Sequence, residues 1–202
     1  MSVQLDTRTK LLDATIDAID SGGEISVRVS TVAAAVGLRE PSVYHFFKNR
    51  EALVEAAQIK RYRRSNEEMM APFEAATQTA KTRVDFENAV RKIFAAVYTP
   101  ERAELRSSRM NVMGAAQTSP TIAAAVIEIN QETAESLAKV LIFGQEKGWV
   151  TKDLDVMALS YWGIGQINSR VMAEMNPSHV DLDAWNKVSI EAVLAAFRFT
   201  AK

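Results

Sequence analysis

The sequence predicts an all-α protein, and three observations carry that prediction. Apolar residues recur at helical spacing along nearly the whole chain, no segment sustains period-two alternation, and Gly and Pro fall where helices end and begin. With 202 residues, 48% of them hydrophobic, the chain is long and apolar enough to bury a real core. No internal repeat and no low-complexity linker interrupts it.

The elements follow in order. In DTRTKLLDATIDAIDSGG, Leu12, Ile16 and Ile19 share one face, Asp6 or Thr7 is placed to cap the start, and Gly22-Gly23 ends a helix of about four turns. In RVDFENAVRKIFAAVY, Phe86, Val90, Ile93, Phe94 and Val97 form an apolar stripe. Thr82 with Asp85 three residues on is a capping-box pattern ahead of it. Pro100 then opens a further helix with Thr99 as its cap. Ser119-Pro120 repeats that start, and Ile122, Val126, Ile129, Leu137 and Leu141 line one side of what reads as the longest helix, closed by Gly144 and Gly148.

Two late segments break the amphipathic habit. Val156–Met172 and Ala184–Phe199 are apolar on nearly every side, so each must bury more than one face. Gly163, Gly165, Ala192, Ala195 and Ala196 allow close helix approach. Two such helices meeting their symmetry mates make a four-helix homodimer contact, with Trp162, Ile167, Val171, Trp185, Val188, Ala192, Ala195 and Phe199 as its expected residues. The alternative is that both are central helices of a monomer core.

Composition narrows the chemistry. The 24 Lys and Arg nearly cancel 25 Asp and Glu, so any basic surface must be local. There is no cysteine, which excludes disulfides, thiolate metal sites and a cysteine nucleophile. Two histidines, no Glu-x-x-His spacing and no phosphate-binding glycine loop argue against an enzyme, and no metal or cofactor is expected. The acidic pairs Asp153/Asp155 and Asp181/Asp183 stand where helix caps are needed. The opening MSVQLDTRTKLL lacks the apolar core of a secretion signal, and no apolar run is long enough to cross a bilayer. A cytoplasmic protein with no membrane partner is expected.

The stretch VSTVAAAVGLREPSVYHFFKNREAL holds two short helical pieces around a glycine turn. Ala33 is small where a second helix passes close, Gly37 suits the left-handed end of the first piece, and Pro41 fits the first turn of the second. That is helix-turn-helix grammar. Val43 and Phe47, four apart, face inward with Val32 and Val36, which leaves Ser42, Tyr44, His45 and Lys48 outside. Hydroxyl, imidazole and ammonium groups are those that bond phosphates and base edges.

Val32-Ala33-x-x-Val36-Gly37-Leu38, Ser42-Val43-Tyr44-His45-Phe46-Phe47 and Asn49-Arg50-Glu51-Ala52-Leu53 together resemble the N-terminal DNA-binding segment of the TetR family of bacterial regulators, over about Thr9 to Leu53. The resemblance implies a homodimer with a helix-turn-helix domain at residues 1–50 and a helical effector and dimerisation domain at 51–202, about nine helices in all. It implies that Ser42 and Tyr44 bond phosphates, that His45 and its neighbours reach bases, and that Arg50 clamps phosphate. Ser30, Thr31 and Pro41 complete the expected DNA-facing set.

The chain departs from the family pattern at Arg28 and Arg39, which stand where Thr and Ser usually cap the second and third helices. Arginine has no acceptor for the free N–H groups there. Either the two guanidiniums contact phosphate or guanine, or they are solvated and Ser26 or Ser30 caps instead. Glu40 either accepts from cytosine N4 or stabilises the helix start.

For the larger half the resemblance implies a small-molecule effector, with Phe94, Tyr98, Met110, Met113, Gln117, Tyr161 and Gln166 as candidate lining, though a Met or aromatic at helical spacing is also ordinary core. Arg109 and Arg170 are either anion partners or members of ion pairs. The expected function is a regulator, by family habit a repressor, released from a palindromic operator by its effector. A ligand-independent regulator, an activator, or a helical carrier with a vestigial helix-turn-helix remain as alternatives.

Overall fold

The computed structural model describes residues 2–197, and for residues 2–5 and 69–78 it describes the backbone only. Phe199 lies outside the described residues. Every regular element among those described is helical. Among the described residues nine α-helices run α1 (Ser2–Gly22), α2 (Val29–Ala35), α3 (Glu40–Val43), α4 (Arg50–Gln78), α5 (Arg83–Val97), α6 (Ala103–Ala115), α7 (Pro120–Glu146), α8 (Val156–Glu174) and α9 (Leu182–Phe197). Short 3₁₀ turns at Glu24–Ser26 and Pro100–Arg102 precede α2 and α6. None of the described helices is long and apolar enough to cross a membrane.

The chain forms two compact units. The first takes the residues up to Arg64 together with Ala115–Val126; the second takes Ser65–Gly114 and everything from Ile127. Helices α4 and α7 each contribute residues to both.

In the first unit, Leu11, Leu12, Ile16 and Ile19 of α1 pack with Val29, Val32 and Ala33 of α2, Val43 and Phe47, and Leu53, Val54 and Ala57 of α4. Salt bridges tie α1 to α4: Lys60 Nζ lies 2.6 Å from Asp13 Oδ1, and Arg61 pairs with Asp20. In the second unit, the stripe expected on α5 is buried in full against Leu137, Val140 and Leu141 of α7, Leu159 of α8, and Val193, Leu194 and Phe197 of α9.

Three features differ from the sequence expectation. Helix α1 begins at Ser2, ahead of Asp6 and Thr7, so neither residue caps it. Pro100 opens a 3₁₀ turn that leads into α6, and the Thr99 side chain makes no capping bond. Helix α4, with 29 residues, exceeds the 27 of α7; the polar run KRYRRSNEE in its middle interrupts an apolar-periodicity reading. It starts at Arg50, with Asn49 Oδ1 accepting the Ala52 N–H at 2.8 Å.

Other caps are as the residues suggested. Asp155 accepts from the Ala158 N–H at 2.7 Å, and Asp181 from Asp183 and Ala184 at 2.9 and 3.1 Å. Ser119 Oγ accepts from Ile122 at 3.2 Å. Thr82 and Asp85 form the reciprocal capping box, with bonds of 3.1 and 2.9 Å.

The Thr82 hydroxyl, and after it the Thr82 N–H, hold the Asp85 carboxyl below the usual carboxylate range. A depressed pKa contributes stability that is complete above the ordinary range and is lost as pH falls through the depressed value. Thr82→Ala is therefore expected to be less stable than wild type near neutrality, with the difference shrinking in acid. Urea melts across pH 2–7 check this.

Candidate nucleic-acid interface

The turn between α2 and α3 is built by glycine. Gly37 has φ +74°, the Leu38 N–H reaches back to the Ala33 carbonyl at 2.8 Å, and the Gly37 N–H reaches Ala34 at 3.1 Å. This six-residue closure satisfies the free carbonyls at the end of α2 and requires the left-handed conformation that glycine adopts without penalty. Ala33, fully buried, allows the close crossing of α3.

Helix α3 is only four residues long and continues as a turn through Phe46. Val43 and Phe47 are buried beneath it, and the Arg8 guanidinium stands over the Phe47 ring at 5.1 Å from its centroid. Tyr44, His45 and Lys48 are exposed and Ser42 is half-buried, the division read from the sequence. Among the described residues, the side chains of His45 and Lys48 make no hydrogen bond or ion pair. The Tyr44 phenol donates to Glu40 Oε1 at 3.2 Å. Partial desolvation, and then the Glu40 carboxylate, raise the pKa of that phenol above its ordinary value.

The flanking residues take defined places. Arg28 and Arg39 are the N-cap residues of α2 and α3, and neither side chain caps its helix. Arg28 Nη1 donates to the Ile25 carbonyl at 2.8 Å, while Ser26 donates to the carbonyls of Ala18 and Gly23, both at 2.8 Å, and so caps nothing on α2. Ser30 and Thr31 are exposed on the first turn of α2, and Pro41 is exposed on the first turn of α3. Arg50 turns its guanidinium inward: Nε donates to Val27 O at 3.0 Å and Nη2 to Glu24 O. That pins the 3₁₀ turn at Glu24–Ser26 to the start of α4.

Residues 11–57 match the family described as "Bacterial regulatory proteins, tetR family". Over that stretch the chain is similar to the DNA-binding segment of the TetR family. Solved structures share its fold over almost the whole length. A Mesorhizobium loti chain described as a TetR-family transcriptional regulator superposes with a TM-score of 0.71 at 16% identity, covering 95% of this chain and 96% of that one. The Bacillus subtilis regulator FadR, solved in complex with stearoyl-CoA, gives 0.62 at 20%, covering 93% and 98%. SmeT, the repressor of a Stenotrophomonas maltophilia multidrug efflux pump, gives 0.62 at 19%, covering 94% and 89%. No curated protein matches the sequence.

Within this TetR-like fold, the residues expected at an effector pocket are dispersed. Phe94 and Tyr98 are core residues of the second unit, and the Tyr98 hydroxyl bonds Ser189 Oγ at 2.7 Å. Met113 lies 4.0 Å, sulfur to nitrogen, from the Asn168 amide, and Gln166 is half-buried. Met110 and Tyr161 are exposed, and Gln117 is exposed in the first unit. A groove of about 340 Å³ in the second unit is lined instead by Ala103, Glu104, Ser107, Val171, Glu174 and Met175.

Three arginines of the second unit are buried. Arg109, 1% exposed, donates to Asn168 Oδ1 and Ser65 Oγ, each at 3.3 Å. Arg106 and Arg170 share the Glu174 carboxylate. Of the residues expected to pair two copies of the chain, Trp162, Val188, Ala192 and Ala195 are exposed, Val188 to 70%. Ile167 and Trp185 pack against the core, with the Trp185 ring edge-on to Tyr98 at 5.2 Å.

The missing cap on α3 carries a stability prediction. Arg39→Ser supplies an acceptor for the free N–H groups and is expected to stabilise the protein by about 1 kcal/mol, measured by urea unfolding.

Proposed function

We propose that the protein is a homodimeric, sequence-specific transcriptional repressor that leaves a palindromic operator when a small-molecule effector binds its larger unit. The observation that supports this most is the exposed face from Glu40 to Lys48. It carries groups suited to phosphates and base edges, and His45 and Lys48 have no intramolecular partner among the described residues. Residues 1–50 act as the DNA-binding domain and 51–202 as the effector and dimerisation domain.

In this reading Lys48, Arg39 and Arg28, with Ser30, Thr31 and Ser42, contact the phosphate backbone or adjoining bases, and His45 and Tyr44 lie at the groove. Arg50 acts by holding the Glu24–Ser26 turn and offers its remaining N–H groups to phosphate. Two units on a two-fold axis read half-sites about 34 Å apart, or a multiple of that. An effector that favours a state with a different spacing releases the DNA, and DNA and effector then weaken each other's binding equally. Helix α4 is the proposed route, because its residues belong to both units. Repression is supported by SmeT and effector binding by FadR with its acyl-CoA, both similar in fold. Phe94, Tyr98, Met110, Met113, Gln117, Tyr161 and Gln166 stand as the effector-contacting candidates, and the cytoplasm is the expected location.

Selection from random duplex DNA by the purified protein tests the function directly. The expected result is a palindromic motif whose affinity falls ~10³–10⁵-fold between 50 and 200 mM salt, as 6–10 phosphate contacts require. Absence of any enriched motif at low salt overturns the reading in favour of a carrier with a vestigial helix-turn-helix.

The apolar surface of α8 and α9 predicts the assembly. The wild type is expected to sediment as a dimer. Ala192→Arg, at an exposed position, is expected to stay helical by circular dichroism, sediment as a monomer and lose more than about tenfold in operator affinity, since a lone unit keeps one half-site.

A further inference from the structure

Glu40 is the one carboxylate in the stretch from Arg39 to Lys48, where Arg39 and Lys48 are cationic, and Glu51 is the next along the chain. A carboxylate beside phosphates is repelled, so this one weakens DNA binding unless it gains something specific from the DNA. Stabilising a helix start is its ordinary use, yet α3 has four residues, so few aligned peptide dipoles are present to be stabilised.

The side chain is also turned the wrong way for that use. Its Oε1 accepts the phenol of Tyr44, one turn further along the exposed face, at 3.2 Å. Among the described residues it has no ion pair and no other hydrogen-bond partner, which leaves Oε2 open.

We propose that Glu40 reads a cytosine, its free carboxylate oxygen accepting the N4–H of that base in the major groove while the Tyr44 phenol holds the carboxylate in place. The inference rests on the DNA-binding reading above. A carboxylate only accepts hydrogen bonds, so it discriminates by charge pattern. Cytosine presents a donor at its groove edge, adenine a donor beside the N7 acceptor, and guanine and thymine present acceptors that repel it. The expected order of preference is cytosine, then adenine, then guanine or thymine.

Tyr44 is thereby a positioning residue. Its single proton is committed to Glu40, so phosphate contact passes to Ser42, Lys48 and Arg39, a different division of labour from the one the family resemblance implies.

The test is selection from random duplexes by the wild type, Glu40→Gln, Glu40→Ala and Tyr44→Phe, all at exposed positions. The wild type is expected to require cytosine at one position of each half-site, by about fivefold or more over the other bases. Glu40→Gln is expected to move that position to adenine, whose N6 and N7 an amide matches, and Glu40→Ala to remove its preference, with all other positions unchanged. Tyr44→Phe is expected to weaken the same position selectively.

If Glu40→Gln and Glu40→Ala keep the wild-type motif and only bind every sequence more tightly, Glu40 is a charge penalty and the proposal is wrong. If Tyr44→Phe lowers affinity evenly for all sequences, the positioning role is wrong. If the wild type itself selects nothing, the DNA-binding reading falls first, an outcome distinct from both.

Discussion

A four-residue helix cannot hold itself in water, since the cost of nucleating a turn exceeds what so few hydrogen bonds return. What this segment presents to solvent is therefore placed by what it buries, chiefly Val43 at the end of α3 and Phe47 just beyond it, with the half-buried Phe46 packed alongside. Val43 and Phe47 each contribute about 1.5–3 kcal/mol when fully removed from water, and together they hold α3 against α1, α2 and α4. The Gly37 turn sets where α3 begins and the Asn49 cap sets where α4 resumes. Between these points the backbone has little choice, so Tyr44, His45 and Lys48 face outward because their neighbours face in.

Much of this was legible in the sequence because it is local. The small Ala33, the left-handed Gly37, the early Pro41 and the four-residue spacing of Val43 and Phe47 each follow from backbone geometry within one or two turns. The same holds for the α5 and α7 stripes and for the Thr82–Asp85 box, three residues apart. Contacts between residues distant in the chain left no such trace. The reach of Arg50 to Glu24 and Val27, across 26 and 23 residues, is set by packing of α4 on the first unit. The start of α1 is hidden for a different reason: Asp6 and Thr7 have the chemistry of caps yet lie inside the helix.

The second unit shows the same limit more sharply. Arg170 and Glu174, four apart on α8, form a pair that helical spacing suggests. Arg106 joins it from α6, 68 residues away, and is buried to 1% exposure. Two guanidiniums on one carboxylate leave an excess positive charge, and burial followed by Arg106 lowers the Arg170 pKa. The compensation comes from backbone. Arg106 also donates to the carbonyl of Val97, the last residue of α5, where the helix dipole is negative, and to that of Thr99, which opens the next turn. A buried arginine here does the work of a helix C-cap, and no periodicity rule foretells it.

The near cancellation of charge constrains how such a chain can read DNA. Residues 1–65 carry ten basic and eight acidic side chains, so the first unit has no broad cationic field to hold a duplex. Three of those acids are engaged across the unit: Asp13 and Asp20 on α1 pair with Lys60 and Arg61, and the Glu24 carboxylate accepts from the buried Gln58 amide at 2.6 Å. The three contacts hold α1 and the Glu24–Ser26 turn to α4, and the two ion pairs among them remove both signs of charge from play together. What remains for a ligand is a short row of unpaired groups around α3. Binding through so few groups is weak unless each is well aimed, and aim depends on the rigid burial of Val43 and Phe47. The stability of the first unit and its capacity to discriminate are in this sense the same property, and a loosened α3 loses selectivity before the fold is lost.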